Sequence, residues 1–472
     1  MSHALAEATL LNRAYIGLVN PLLNGKTFQG VGRRMKDLQR LERMSVAEYR
    51  NRQWQAVSRL LQHAYDSTPF YHERFERAGA KPADIHSFED LQKIPALTRE
   101  DIRHNLEGLW SRRYPKESLL KAATGGTTDT PVQLLRSPEC LREKLAVQFH
   151  FNSWAGMWPG DKVFALWGAQ QDLNPNPSWR WRFYDRYLMR RVCAPTSLMN
   201  PAVLESYRQL LNDFRPKIVY AYPTPLALFC EYLRDCGRPY HHPVTAICTA
   251  ESLQLHQRQV IEKTLGCPVF EHYGTRDFGL VGAECEMHQG MHLNPAAVYV
   301  EFVPIEGAEV EGLQELLVTD LLNLGMPMIR YRINDCAVRD AVQCGCGRSY
   351  PLVGTIMGRT ADVFHLPDGN SIPGISLHRV ITELCPGLKK IQIIQDTVTN
   401  FRIRFVRGES FRPADAQFLA KRLDERFGHS IHWDFERVAE IERERSGKTR
   451  FCISHVKRVG AGFGLIAMQD LK

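Results

Sequence analysis

Long apolar runs are missing. No stretch of the 472 residues approaches the roughly 18 consecutive apolar positions that a spanning helix requires, and the apolar piece 14–23 is interrupted by Asn20 and Pro21. We therefore expect neither a membrane span nor a signal peptide. Blocks of one charge are missing as well. Sixty Lys and Arg against 52 Asp and Glu leave a net charge of +8, dispersed along the chain, which attracts anions generally without pointing to nucleic acid. There is no C-x₂-C pair, and Cys140, Cys230, Cys248 and Cys267 stand alone in apolar segments. That usage indicates reduced core thiols and a cytoplasmic protein rather than a disulfide framework. Internal repeats and low-complexity tracts are absent.

The composition is that of a globular protein, and the length exceeds what one core can organise at about 150 residues per domain. Residues up to about 120 form a helical scaffold. Three Ser/Thr-x-x-Asp/Glu pairs, Ser45 with Glu48, Ser87 with Asp90 and Thr98 with Asp101, each predict a capped helix there. In the first, Trp54, Val57, Leu60, Leu61 and Ala64 share one face. Further on, β-rich runs at 163–167, 218–221, 244–249 and 269–273 alternate with helical stretches, the rhythm of βαβ units around a largely parallel sheet. Runs at 298–303, 316–319 and 329–332 predict a small antiparallel or barrel-like section. A Pro/Gly-containing connector over 362–374 then leads into a strand–strand–helix–strand–strand segment. The expectation is an α/β chain: a large N-terminal lobe, residues 1–362, and a small mobile α+β domain, residues 363–472.

Five segments can carry chemistry. Thr124-Gly125-Gly126-Thr127-Thr128-Asp129-Thr130-Pro131 offers free backbone and hydroxyls to phosphate oxygens, although alone it is equally a Thr/Gly surface turn. It is not a GxxxxGK[ST] loop, and Gly447-Lys448-Thr449 has Glu442 where that pattern needs glycine. Tyr273-Gly274-Thr275-Arg276-Asp277-Phe278-Gly279 follows a strand, where open α/β sheets place their sites. Asp277 can ligate Mg²⁺, and Tyr273 can lie against a flat ring. The segment 326–335 predicts a strand with Arg330 and Arg332 on one face and Asp335 at its end, placed to accept from vicinal hydroxyls. Gly358-Arg359-Thr360 and Ser446-Gly447-Lys448 complete the set.

Taken in order, these five segments resemble the adenylate-forming superfamily of acyl-activating enzymes. The resemblance is to its phenylacetate–CoA ligase branch, and within that to the capsule-biosynthesis type, whose wording is matched by Tyr-Gly-Thr-Arg-Asp-Phe-Gly, Met-Pro-Met-Ile-Arg-Tyr-Arg and Ser67-Thr68-Pro69-Phe70-Tyr71. The resemblance implies that Thr124, Gly125, Gly126, Thr127 and Thr128 hold the ATP β- and γ-phosphates. Ala250, Glu251 and Tyr273, with Gly274, line the adenine site, and Asp277 binds Mg²⁺. Asp335 accepts from the ribose hydroxyls, Arg359 contacts the nucleotide, and Lys448 reaches the α-phosphate and the substrate carboxylate from a rotating small domain hinged near Asp362. The chain departs from the pattern at Thr130, where many relatives carry lysine, and at Asp277, which replaces glutamate. The implied activity is ATP-dependent conversion of a carboxylic acid to an acyl-adenylate, followed by transfer to CoA. Alternatives are transfer to a sugar or amine acceptor, or a degenerate scaffold without turnover.

Two further readings come from residue types. Cys285, His292, Cys344 and Cys346 make a Cys₃His set suited to structural zinc, with His288 as the competing histidine; four unrelated thiols and imidazoles are the alternative. Trp154, Trp167, Tyr222 and Pro223 are candidate walls for an acid pocket. A zinc-dependent nucleic-acid binder lacks the basic helix and stacked aromatics it needs.

Overall fold

The computed structural model describes residues 8–456 other than 20, 23–27, 124–131, 168–177, 197–198, 306–312, 339–343, 360–362, 368–370, 374–376, 378–380, 382–384, 386–387, 409–410, 428–429 and 443–451. Two of the three predicted caps head helices. Ser45 Oγ accepts from Glu48 N–H while the Glu48 carboxylate accepts from Ser45 N–H at 2.9 Å, opening the helix Val46–Ser67. Thr98 and Asp101 repeat the device before Arg99–Leu109. The Ser87–Asp90 pair also closes its hydrogen bonds, yet it carries only the short 3₁₀ turn Glu89–Lys93. The reason is Pro95: it forces Ile94 into extended backbone, so no α-helix can propagate. A helix instead starts at Pro69, where proline costs nothing at the first position and Thr68 supplies the cap.

The chain divides into two compact units, one built from the described residues before Arg359 and one from those between Arg359 and Glu442 together with Cys452–Ser454. In the first, β1 (Leu120–Ala123) and β2 (Gln133–Arg136) pair antiparallel, and β3 (Val163–Trp167), β4 (Arg191–Pro195), β5 (Ile218–Ala221), β6 (Thr245–Thr249) and β7 (Val269–Thr275) pair in parallel in the order β7-β6-β5-β3-β4. The helices Pro201–Phe214, Pro223–Cys236 and Leu255–Leu265 pack apolar faces on one side, around Phe164, Leu211, Phe229 and Ile261. From β7 the sheet continues antiparallel through β8 (Gly279–Glu284), β9 (Met291–Leu293) and β13 (Leu352–Val353).

The barrel-like expectation resolves into a four-stranded sheet of β10 (Val298–Pro304), β11 (Leu313–Asp320), β12 (Tyr331–Val338) and β14 (Thr355–Arg359). Here the predicted two-arginine strand fails. Strand β12 begins only at Tyr331 and Asp335 lies inside it, because Arg330 has φ 53° and so cannot be extended. The Arg330 guanidinium turns inward to Glu301 at 3.0 Å and to the Ile94 carbonyl, while Arg332 reaches Glu315 at 3.6 Å. In the second unit the span expected as a connector holds an antiparallel pair, β15 (Val363–His365) and β16 (Ser371–Pro373), and the predicted order follows: β17 (Leu388–Gln395), β18 (Asn400–Arg407), the helix Pro413–Phe427, β19 (His432–Arg437) and β20 (Cys452–Ser454), around Phe401, Ile403 and Leu423. The whole is the α/β class expected, a large lobe of mixed sheets and helices plus a small α+β unit.

Candidate active site and a Cys/His cluster

The carboxyl end of β7 turns sharply at 276–278 into β8. Glycine is required twice: a Cβ on Gly274 would meet the Gly279 carbonyl at 2.9 Å, and Gly279 itself has φ 76°. Just before this turn, Tyr273 Oη on β7 donates to Asp335 Oδ2 on β12 at 2.7 Å, joining the two sheets. Burial, then the neighbouring Asp335 charge, pushes the Tyr273 phenol up, so it stays a donor. Asp277 is half-buried, and its Oδ1, itself out of reach of solvent, has no hydrogen-bond partner among the described residues. Burial raises its carboxyl to about 6, against the pull of Arg136, Arg99 and Lys144 and with a further push from Asp335. A carboxylate with an orphaned oxygen, facing several cations, is arranged to receive something.

Sequence reading missed the residue that fixes this turn. Lys144, on the helix Pro138–Trp154, donates to the Asp277 carbonyl at 3.0 Å and to Asp320 Oδ2 at 2.8 Å, with both side chains of the ion pair almost fully buried. The Arg136 guanidinium holds the adjacent Arg276 carbonyl. A signal for Lys144 existed: Cys140, Lys144, Val147 and Phe151 follow helical spacing, so a lysine interrupts an apolar stripe. Such a lysine needs a buried partner.

Ala250 and Glu251 leave the end of β6, which pairs with β7 up to Thr249 opposite His272. Ala250 has φ 70°, a strained conformation for a residue with a Cβ. The next residues are braced from below. Glu271 accepts the Leu253 N–H at 2.9 Å; Arg258 makes a two-point contact with Glu284, at 2.7 and 2.8 Å. Burial, then the Glu284 charge, lifts Glu271 to about 7. On the alternate residue of β7, His272 is buried with neither ring nitrogen hydrogen-bonded among the described residues, and burial lowers it to about 4. Its ring centroid is 6.2 Å from Tyr220; the Trp167 ring lies 4.9 Å from Tyr222. Of the proposed pocket walls, Trp167, Tyr222 and Pro223 therefore lie at the ends of β3 and β5, whereas Trp154 points elsewhere, its Nε1 donating to Glu42 at 2.9 Å.

Thr124, Gly125, Gly126, Thr127, Thr128, Thr130, Asp362 and Lys448 lie outside the described residues. Arg359 ends β14.

At the far end of β8 the candidate ligand atoms of Cys285, His292, Cys344 and Cys346 all lie within 4.8 Å of one another. Cys285 Sγ is 3.4 Å from Cys344 Sγ, and Cys346 Sγ is 3.5 Å from His292 Nε2. His292 Nδ1 faces the Tyr350 carbonyl at 3.2 Å, the arrangement that fixes the tautomer and leaves Nε2 free to ligate. The chain reaches this pose by a tight turn at Gly290 (φ 131°), where a Cβ would meet the Val353 carbonyl at 2.6 Å. His288 stands apart, paired with Glu284 at 3.2 Å. A mutually close Cys₃His set matches the donors zinc prefers.

Comparison with known proteins shows what the chain is similar to. Residues 364–455 match the CapK C-terminal domain. The chain is 23% identical to Protein CapK of Staphylococcus aureus, over 83% of this chain and 86% of that protein. It is 28% identical to a phenylacetate-coenzyme A ligase of Pseudomonas putida, over 71% and 75% of the respective chains. The fold is that of a solved 2-hydroxyisobutyryl-CoA ligase in its postadenylation state, with TM-score 0.70 and 18% identity over 88% of this chain and 91% of that one. The chain is thus similar over most of its length to CapK and to phenylacetate-coenzyme A ligases, and it shares the fold of an adenylate-forming acyl-CoA ligase.

Proposed function

We propose that this chain joins a carboxylic acid to CoA in two steps. A carboxylate oxygen attacks the α-phosphorus of ATP and pyrophosphate leaves; the CoA thiol then displaces AMP from the acyl-adenylate. The observation that carries the reading is the Asp277 turn: a carboxylate whose buried Oδ1 has no partner among the described residues, near Tyr273 and Asp335, at the carboxyl end of a parallel sheet. In this reading Asp277 holds Mg²⁺, whose charge neutralises the phosphate oxygens when it is bound. Thr124, Gly125, Gly126, Thr127 and Thr128 donate to the β- and γ-phosphates. Ala250, Glu251, Tyr273 and Gly274 frame the adenine, Asp335 accepts the ribose hydroxyls, and Arg359 contacts the nucleotide. Lys448, on a C-terminal domain of residues 363–472 hinged near Asp362, donates to the α-phosphate and the acid. Preorganised donors of this kind act where charge accumulates in the transition state.

Cys285, His292, Cys344 and Cys346 hold a structural zinc in the same reading. It pins the end of β8 and the strand β9 to the segment after β12, at the opposite end of the hairpin from the β7–β8 turn, and takes no part in chemistry. The protein acts in the cytoplasm. A second reading, transfer of the acyl group to a sugar or amine, draws on the likeness to CapK over both the large part of the chain and its C-terminal domain.

The test is ATP–pyrophosphate exchange against a panel of carboxylic acids, followed by AMP release on adding CoA. Lys448→Ala is expected to lose about 10²–10³ in exchange rate while the protein stays folded. Near-normal exchange in that variant, or no exchange with any acid, refutes the assignment. Exchange without CoA-dependent AMP release favours the second reading.

A further inference from the structure

Residues 179–188 form one helical stretch, an α-turn over Trp179–Phe183 running into a π-turn over Tyr184–Leu188. Its apolar residues are not buried. Trp179, Trp181, Phe183 and Tyr187 are 74%, 46%, 53% and 59% exposed, a concentration of four aromatic rings in nine residues on the surface of a protein that buries its core well elsewhere. Trp179, Phe183 and Tyr187 recur every four residues and so share a face; the Phe183 and Tyr187 rings lie 4.9 Å apart. Arg180, Arg182 and Arg186 border that stripe. From 179 to 191 there are five arginines and one carboxylate, Asp185, which is already engaged by Arg191 at 3.0 Å.

We propose that this stretch docks the protein peripherally on an anionic phospholipid surface. An aromatic stripe edged by arginine is the pattern of a helix lying in the membrane interface. Indole and phenol rings suit the headgroup level, being apolar in body and polar at one edge. Guanidinium forks match phosphate oxygens two bonds at a time, which lysine could not do. The stripe is short, so its apolar area gives weak partitioning alone, and the positive charge must supply the rest. That makes attachment reversible and dependent on anionic lipid. No helix among the described residues is long and apolar enough to cross a membrane, so the contact would be with one leaflet.

The experiment is vesicle flotation of the full chain with phosphatidylglycerol–phosphatidylcholine vesicles and with phosphatidylcholine alone. Flotation is expected only with the anionic vesicles, weakening as salt rises. Lipids brominated in the acyl chain should quench tryptophan emission. Trp179→Ser with Phe183→Ser should abolish flotation and most of the quenching. Arg180→Glu with Arg182→Glu should lower the partition coefficient roughly 20-fold or more. Circular dichroism and ATP–pyrophosphate exchange should match the parent chain, since these side chains are on the surface. Undiminished flotation of both variants overturns the proposal. So does dimerisation that Trp179→Ser abolishes, or retention on single-stranded DNA with no binding to vesicles.

Discussion

The hairpin of β7 and β8 has two ends built on opposite principles. At its turn two carboxylates lie close together: Asp277, whose Oδ1 has no hydrogen-bond partner among the described residues, and Asp335, which accepts from Tyr273, while Lys144 anchors the Asp277 backbone rather than its carboxyl group. At its other end, Cys285, His292, Cys344 and Cys346 close on one another. Their surroundings close too: Arg348 lies 4.6 Å over the Trp154 ring and pairs with Glu286 at 2.8 Å, and Glu42 accepts from Trp154. A donor set closed on itself has little left to offer a substrate, while a carboxylate oxygen without a partner among the described residues can still accept one. In the proposed reading the contrast separates a structural centre from a chemical one within a single pair of strands.

Breaking the closed end should do the most damage. Structural zinc sites contribute folding energy directly, about 10–16 kcal/mol in small peptides. Cys344→Ser removes a half-buried ligand with little loss of packing, so zinc measured on the purified variant should fall well below one per chain and the melting temperature should drop markedly. Chelator should do the same to the parent chain. Full stability in a zinc-free preparation would reduce the cluster to four neighbouring side chains and end the contrast. At the open end, Lys144→Met leaves Asp320 buried without its cation, and breaking such a pair costs about 3–5 kcal/mol. Replacing both, Lys144→Met with Asp320→Leu, should recover most of that in a denaturant titration. The Mg²⁺ requirement for pyrophosphate exchange should nevertheless stay raised, because the Asp277 carbonyl has still lost its donor. Recovery of both properties would make Lys144 merely structural.

How much of this was legible depended on the range of the interaction. The capping pairs at Ser45 and Thr98 act within one turn, so they could be read directly. The pair at Ser87 misled because its local signal was correct and Pro95 overruled it. Cys285, His292, Cys344 and Cys346 were visible as residue types, although nothing in their spacing distinguished His292 from His288; the β8–β9 pairing and the Gly290 turn make that choice. Arg330 and Arg332 looked like neighbours on one strand face, and a single positive φ sent them to different partners. The Lys144–Asp320 pair spans 176 residues, and only the interrupted apolar stripe hinted at half of it.

The smallest expected effect sharpens the contrast most, because it asks whether the open end costs the fold anything. Burial raises Asp277 to about 6 from its usual 3.8. For an acid shifted upward, the sign is fixed. Below pH 4 the carboxyl is protonated in folded and unfolded chains alike, and no penalty exists. Between pH 4 and 6 the unfolded chain ionises first, so stability is lost, and above 6 the loss levels at about 3 kcal/mol. Asp277→Asn should therefore be more stable than the parent at pH 7 and no more stable below pH 4. Urea melts at the two pH values measure the difference directly. If Asp277 holds Mg²⁺ as proposed, adenylation should behave inversely: in the parent kcat/KM should fall as pH drops through about 6 and this carboxylate is protonated, while the variant should be slow at every pH. A stability difference that ignores pH would mean that the Asp277 carboxylate is already satisfied in the folded chain, and the chemical reading would lose its support.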